Sequence, residues 1–120
     1  MLIANYRDLT VWQKAHALVL DIYRHTSKFP NEETFGLTTQ VRRSSVSICA
    51  NLAEGYRKKT LDYARYIQMA QASLQETTYH ILLSKDLGYI SNETYEGLSE
   101  RTEIIGKMLS GLHKSILRAK

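Results

Sequence analysis

A stripe of polar side chains runs through residues 36–59, and its members are types that form hydrogen bonds and ion pairs. They recur at steps of three, four, four and three, and they are Gln40, Arg43, Ser47, Asn51 and Glu54. This spacing places all of them on one face of an α-helix. Because short hydrogen-bonding groups replace the Lys and Glu of a solvated face, we expect a helix that is buried on most sides. Its polar stripe then meets a specific partner surface.

An apolar stripe lies beside the polar one, at steps of four, three, four and four. It comprises Leu37, Val41, Ser44, Ile48 and Leu52. This is the spacing of helix positions that face a core. The polar stripe is therefore predicted to lie at the edge of the core, where a neighbouring helix reaches it.

Patterns typical of catalysis or metal binding are absent from the sequence. It has no phosphate-binding loop, no dinucleotide-binding glycine motif and no zinc-protease motif. Helix bundles hold two metal ions through Glu-x-x-His pairs, but Glu76 precedes His80 by four residues and no second pair exists. No histidine lies at a sequence spacing from Cys49 that would indicate a catalytic Cys–His pair. We therefore predict a protein that is not an enzyme and that uses no metal and no cofactor.

The composition is that of one ordinary globular domain, residues 1–120. Hydrophobic residues make up 43% of the chain and charged residues 23%. Cys49 is the single cysteine, which predicts a reducing, cytoplasmic setting. No apolar run reaches the ~20 residues that span a bilayer, so no membrane partner is expected. The net charge of +4 is compatible with a nucleic-acid partner.

Four long segments have helical periodicity, and no segment alternates with period two. The predicted helices cover about 9–27, 36–58, 61–87 and 92–118. The predicted core-facing stripes of the first, third and fourth helices are Val11, Ala15, Leu18 and Ile22; Tyr63, Ile67, Ala70, Leu74, Thr77 and Ile81; and Leu98, Thr102, Ile105, Leu109, Leu112 and Ile116. Asp8 and Thr60 are candidate N-caps, either Ser91 or Asn92 caps the fourth helix, and Gly88 is a candidate stop signal. All three connections are short, which forces neighbouring helices to run in opposite directions. The sequence thus predicts an all-α fold, an up-down-up-down antiparallel four-helix bundle.

In this bundle the second and third helices face each other about a turn near residue 59. Arg43 is then level with Glu76, and Ser47 is level with Ser73 or Ala72. We predict an ion pair between Arg43 and Glu76, and hydrogen bonds from Asn51 and Ser73 to each other or to nearby backbone. The residues predicted to be buried polar or interface groups are Gln40, Arg43, Ser47, Asn51, Glu54, Ser73 and Glu76.

The same topology gathers basic residues at one end of the bundle and acidic residues at the other. The predicted nucleic-acid-binding residues at the basic end are Arg7, Tyr56, Arg57, Lys58, Lys59, Arg65, Lys114, Arg118 and Lys120. Two interpretations remain open. The cations form either a phosphate-binding surface or a solvated rim that suits two helix C-termini. Tyr56 either stacks on an unpaired base or packs within the bundle.

Two further features indicate self-association. The fourth helix contains Gly97, Gly106 and Gly111 at positions off its core stripe, and glycine within a helix costs ~1 kcal/mol relative to alanine. Close helix packing is one gain that offsets this cost. Trp12 and Tyr23 add more aromatic surface than a small core needs. We therefore expect a homo-oligomer with cyclic closure.

Nearly the whole chain resembles the 23S ribosomal RNA intervening-sequence proteins, also called S23 ribosomal-like proteins. The residues that carry the resemblance are Asp8-Leu9-x-Val11-Trp12-Gln13-Lys14-Ala15, Phe29-Pro30, Gly36-Leu37-Thr38-x-Gln40, Arg42-Arg43, Ser47-Ile48, Asn51-Leu52-Ala53-Glu54-Gly55, Ala72-Ser73-Leu74-x-Glu76, Leu87-Gly88-Tyr89-Ile90 and Met108-Leu109-x-Gly111-Leu112. Ala72 departs from the pattern, which often has glycine before the serine.

The resemblance implies a bacterial four-helix bundle that assembles as a ring, a homopentamer, with a basic face suited to RNA. Similar bundles are accessory proteins of diversity-generating retroelements, which implies a reverse transcriptase as an alternative partner. Arg43, Asn51, Glu54 and Glu76 match the family's polar motif, and we assign them to structure or interface. The leading interpretation is a non-enzymatic adaptor that binds RNA or a ribonucleoprotein; the alternative is a scaffold that binds only protein.

Overall fold

The structure, a computed structural model, describes residues 5–119 and contains four α-helices. Their bounds are α1 Thr10–Thr26, α2 Leu37–Gly55, α3 Thr60–Asp86 and α4 Asn92–Arg118. Single 3₁₀ turns precede α1 and α2, at Tyr6–Asp8 and Asn31–Glu33. No β-strand occurs within the described range. The predicted all-α fold with four helices is confirmed.

Two predicted helix N-caps are each displaced by one residue. Asp8 belongs to the 3₁₀ turn before α1, and the N-cap of α1 is Leu9, whose backbone is extended. Thr60 is the first residue of α3, and Lys59 occupies the cap position. No side chain caps either helix. The backbone conformation of the preceding turn determines where both helices start. The preference of certain residues for N-cap positions does not predict that conformation.

The connection between α3 and α4 forms as predicted. Gly88 has a φ of 79°, the left-handed conformation that ends a helix at low cost. The N–H of Tyr89 donates to the carbonyl of Ser84 at 2.9 Å, which closes the last turn of α3. Ser91 Oγ then accepts from the N–H of Thr94 at 3.0 Å and caps α4.

The end of the second helix differs from the prediction. α2 ends at Gly55, three residues earlier than predicted.

One stripe from each helix forms the core, and the predicted stripes are buried along most of their length. The buried members are Val11, Ala15, Leu18 and Ile22 of α1, Leu37, Val41, Ser44, Ile48 and Leu52 of α2, Ile67, Ala70, Leu74, Thr77 and Ile81 of α3, and Leu98, Thr102, Ile105 and Leu109 of α4. Tyr63, Leu112 and Ile116 are half-buried and lie near helix ends. Periodicity alone therefore identified the core-facing positions.

Contacts between helices show their relative directions. Along α2 and α3, Ser44 contacts Thr77, whereas Ser47, further along α2, contacts Ser73, further back on α3. The two helices therefore run antiparallel. Along α3 and α4, Gly106 lies beside Leu74, and the ring of Tyr95 lies against Lys85, which again indicates opposite directions. Residues from the end of α1, the start of α2, the end of α3 and the start of α4 line one small apolar cavity. They include Ile22, Thr26, Val41, Ile81, Ser84 and Leu98.

Gly55 lies where α2 and α3 approach most closely at their shared turn. A Cβ atom at this position would lie 2.4 Å from the Cβ of Tyr66, closer than two carbon atoms pack. The glycines of α4 differ from it. Gly106 would place a Cβ at 3.4 Å from Leu74, whereas Gly97 and Gly111 face open space. Close packing within the chain therefore does not account for Gly97 and Gly111.

Asp21 joins α1 to α4. Its carboxylate accepts hydrogen bonds from Arg24 on its own helix and from Arg101 on α4. The hydrogen bond from Arg101 is the largest cause that lowers the pKa of Asp21 below its ordinary value of 3.8, and partial burial opposes this shift. The charged form is therefore favoured in the folded protein, and the contact contributes stability wherever Asp21 is ionised.

We expect Gly55→Ala to lower the free energy of unfolding by about 1–3 kcal/mol, because the new methyl group must displace the Tyr66 side chain. Gly97→Ala is the matched control. It adds a methyl group in open space and should stabilise α4 by up to about 1 kcal/mol. Urea unfolding followed by circular dichroism measures both. Equal effects of the two substitutions would contradict the close approach at Gly55.

We expect Asp21→Asn to cost about 1 kcal/mol near pH 7, a value that allows for the partial exposure of the ion pair. Because the pKa of Asp21 is lowered on folding, its contribution is fully present above the unfolded value. The contribution is lost as the pH falls through the lower, folded value. The stability difference between wild type and variant should therefore shrink towards zero in acid. Urea titrations between pH 3 and pH 7 test this, with Asp86→Asn at an exposed ion pair as the control.

Candidate functional site

A ladder of hydroxyl groups joins α2 to α3 along the polar stripe. Hydrogen bonds join Ser44 to Thr77 and Ser47 to Ser73, each with 2.8 Å between the two side-chain oxygens. Asn51 Nδ2 donates to the backbone carbonyl of Ser47 at 2.8 Å and to its Oγ at 3.0 Å. The short side chains allow the two backbones to approach while every buried hydroxyl of this seam keeps a partner. We call these five residues the hydroxyl seam.

The predicted ion pair between Arg43 and Glu76 is not formed in the described part of the chain. Glu76 Oε2 instead contacts His80 Nε2 at 3.0 Å, one turn further along α3. An i, i+4 neighbour on the same helix is within reach without spanning the gap between helices, which is why this pairing forms. Arg43 and Glu76 nevertheless line one groove of about 270 Å³ above the seam.

The seven residues predicted to be buried polar or interface groups are only partly covered in the single chain. Ser47, Asn51 and Ser73 are half-buried, because they point into the angle between α2 and α3. The four longer members are exposed, because they lie further around their helices and extend past the seam. They are Gln40, Arg43, Glu54 and Glu76. Their proposed role at an interface stays a prediction.

One of these exposed residues has a partner across the turn. The hydroxyl of Tyr66 donates to Glu54, and this hydrogen bond is the largest cause that raises the pKa of Tyr66. The Nζ of Lys58 lies 5.9 Å from the centre of the same ring. Residues from both sides of the α2–α3 turn are thus held together. The turn that carries Arg57, Lys58 and Lys59 is anchored to the body of the bundle.

The predicted basic residues lie on exposed positions around the α2–α3 turn. Arg57, Lys58 and Lys59 form the turn itself. α4 runs antiparallel to α3, so Lys114 is level with Tyr66 and Arg118 with the first turn of α3. We call the exposed cations at this end the basic end; they are Arg7, Arg57, Lys58, Lys59, Arg65, Lys114 and Arg118. The prediction for Lys120 falls outside the described residues.

Most cations of the basic end form no ion pair with a carboxylate of residues 5–119. Arg65 pairs with Asp62 at 2.8 Å, and it is the one member of the group that forms an ion pair within residues 5–119. Tyr56 is half-buried, and its ring packs edge-on against Tyr63 with 6.0 Å between centroids. This geometry agrees with the packing interpretation of Tyr56. The other end of the bundle carries Lys28 and Lys85 among its carboxylates, so the separation of charge is weaker than expected.

Sequence reasoning missed a junction at the opposite end. Tyr89 donates its hydroxyl to Glu33 Oε2 at 2.8 Å, while Glu33 Oε1 accepts from the N–H of Leu37 at 3.1 Å. The hydrogen bond from Tyr89 is the largest cause that lowers the pKa of Glu33, and the same bond raises the pKa of Tyr89. Glu33 precedes Leu37 by four residues near a helix start, which is the signal that could have identified it.

Arg42 is a second residue that the sequence did not distinguish. Its Nε donates to Thr26 Oγ1 at 2.8 Å, and its guanidinium lies 4.5 Å from the centre of the Tyr23 ring. It therefore holds the C-terminal turn of α1 against α2. The sequence around a charged residue does not indicate that its side chain will bond to the end of another helix, because that partner is distant in sequence.

In the part of the chain that the structure describes, reactive groups are not gathered into one site. Burial raises the pKa of the Cys49 thiol to about 12, so the thiolate that a nucleophile requires is not populated at neutral pH. Within residues 5–119, no three His, Cys, Asp or Glu side chains are grouped closely enough to hold a metal ion. None of the helices in this range combines the length and apolar character needed to cross a membrane.

Comparisons with known proteins agree with the geometry. A family model described as 23S rRNA-intervening sequence protein matches residues 7–111. A solved structure from Bacteroides thetaiotaomicron VPI-5482, described as a protein of unknown function from the S23 ribosomal protein family, has a similar fold. The two chains are 27% identical, with a TM-score of 0.80 over 87% of this chain and 95% of that one. No curated protein matches the chain significantly.

The hydroxyl seam makes a prediction about coupling between α2 and α3. Thr77→Val keeps the shape of a fully buried side chain but leaves Ser44 without its cross-helix partner, so we expect a loss of about 1–2 kcal/mol in the free energy of unfolding. Ser44→Ala combined with Thr77→Val should cost less than the two separate losses together, by about 1 kcal/mol. Urea unfolding of the four proteins measures this coupling. Strict additivity would contradict a direct contact.

Proposed function

The chain belongs to the 23S rRNA-intervening sequence protein family, and from that premise we propose a non-enzymatic adaptor that binds RNA through its basic end. The RNA is bound alone or as part of a ribonucleoprotein. The adaptor assembles with copies of itself into a ring, which the family resemblance implies to be a homopentamer. Its activity is binding, and no side chain is assigned a catalytic role.

The observation that carries the RNA proposal is the group of exposed cations around the α2–α3 turn. Each lysine or arginine that neutralises a phosphate releases counterions, and this gain is independent of base sequence. The members of the basic end other than Arg65 form no ion pair in the described structure, so they retain their charge for a polyanion. The anchoring of the turn through Tyr66 and Glu54 keeps three of them close together.

Assembly supports the same function. Adjacent copies would present several basic ends to one RNA, and linked binding sites raise overall affinity without any new contact. The exposed apolar side chains of α1 to α3 are features that a monomer does not require. A ring is the usual closed form when one surface binds a different surface of the next copy.

We expect binding to structured RNA to weaken steeply between low and physiological salt. Each lost phosphate contact reduces the slope of log affinity against log salt by roughly 0.9. Lys58→Glu with Lys59→Glu should therefore lower the slope by about 2 and abolish retention at physiological salt. Fluorescence anisotropy with a labelled hairpin RNA measures both quantities.

The matched control is Lys28→Glu with Lys107→Glu, which changes the net charge equally but away from the basic end. This control should bind RNA nearly as wild type does. An equal loss in both variants would mean that net charge alone drives binding and would contradict a defined surface. No retention of wild-type protein at low salt would reject the RNA proposal and leave a scaffold that binds only protein, such as a reverse transcriptase.

A further inference from the structure

The outer surface of α2 and its flanks exposes several apolar side chains. Val46 of α2 is 40% exposed, and Ala50 one turn later is also exposed. On the neighbouring helices, Leu20 and Tyr23 of α1 are 53% and 43% exposed, and Met69 of α3 is 45% exposed. We call these five residues the α2 face.

Contacts between helices place the members of the α2 face along two adjoining seams. Tyr23 is held against α2 by the guanidinium of Arg42, and Val46 lies one turn beyond Arg42. Leu20 lies one turn before Tyr23 on α1. Met69 lies one turn before a residue of the hydroxyl seam, so it borders the other side of α2. The apolar side chains therefore flank α2 on both sides.

The number of charged residues also distinguishes α2 from α4. α2 contains three charged residues in 19, whereas α4 contains eight in 27. A helix that faces water carries charged residues on its outer side. α4 fits that description, and α2 does not. The low charge of α2 is instead typical of the centre of a protein–protein interface, from which charged residues are depleted.

The charges that α2 and α3 do carry next to this face are complementary. Arg43 is exposed and forms no ion pair with any residue of 5–119, while Glu76 across the same groove is exposed and contacts only His80. They belong to one chain yet do not pair with each other. In a contact between copies, Arg43 of one chain can reach Glu76 of the next, and Glu76 keeps a second oxygen for it.

We propose that the α2 face, with Arg43 and Glu76 beside it, is the surface through which this chain binds a second copy of itself. This inference rests on the self-assembly in the proposed function and adds its location. The apolar side chains supply buried area at the centre, and the two charges fix the relative orientation of the copies. α4 then faces solvent in the assembly.

The test compares two substitutions that place a carboxylate at equally exposed branched side chains. Val46→Glu lies in the α2 face, whereas Ile104→Glu replaces a residue of α4 that is 42% exposed. Sedimentation velocity should show an oligomer for wild type and for Ile104→Glu, and a monomer for Val46→Glu. Circular dichroism should show wild-type helix content for all three, which separates dissociation from unfolding.

A charge exchange tests the orientation. Arg43→Glu and Glu76→Arg should each raise the dissociation constant of the assembly about tenfold or more. The double exchange should restore it, because the opposite charges again face each other between copies. Mixing the Arg43→Glu and Glu76→Arg single variants should also restore assembly, because the carboxylate introduced at position 43 of one chain then meets the guanidinium introduced at position 76 of the next. A pairing of these two positions within one chain would not be restored by mixing.

The outcomes are distinguishable. A wild-type protein that is monomeric at 100 μM would overturn the proposed assembly and this inference together. An oligomer that persists in Val46→Glu, or that dissociates in Ile104→Glu, would overturn only the location of the interface. A double exchange that fails to restore assembly would overturn the pairing of Arg43 with Glu76. RNA retention at low salt is read separately and reports on the basic end alone.

Discussion

The close approach of α2 and α3 is the constraint on which the rest of the structure depends. It requires small side chains on both helices, and the hydroxyl groups among them must find partners when water is excluded. The hydroxyl seam meets both conditions, because Ser44 and Ser47 bond directly to Thr77 and Ser73. Gly55 then allows the helices to remain close at the turn, where any larger residue would meet Tyr66.

This contact fixes how far α2 is shifted along α3, and several distant features follow from it. The turn after Gly55 projects Arg57, Lys58 and Lys59 together at one end. The groove above the seam brings Arg43 and Glu76 to its two sides without pairing them. A shift of one turn would separate these groups. The seam thus positions charges that do not themselves belong to it.

Much of the fold followed from residue spacing. The inward stripes of α1, α2 and α4 were predicted position by position, because the 3.6-residue repeat leaves little freedom in which side chains face a core. A short turn between antiparallel helices placed Ser47 level with Ser73 or Ala72, and the structure pairs it with Ser73. Cap positions were less predictable. Leu9 and Lys59 occupy them without any side-chain hydrogen bond, so residue preference carried no information there.

The sequence by itself determined four helices, their core faces, the α2–α3 register and the family. Only the tertiary structure decided which polar groups are covered and which partners they choose. Glu76 contacts His80 instead of Arg43, and Val46 and Ala50 lie in the open although their helix was expected to be buried on most sides. The physical reason is that periodicity gives the direction of a side chain around its own axis. Coverage and pairing depend on the angle and distance of neighbouring helices and on side-chain reach.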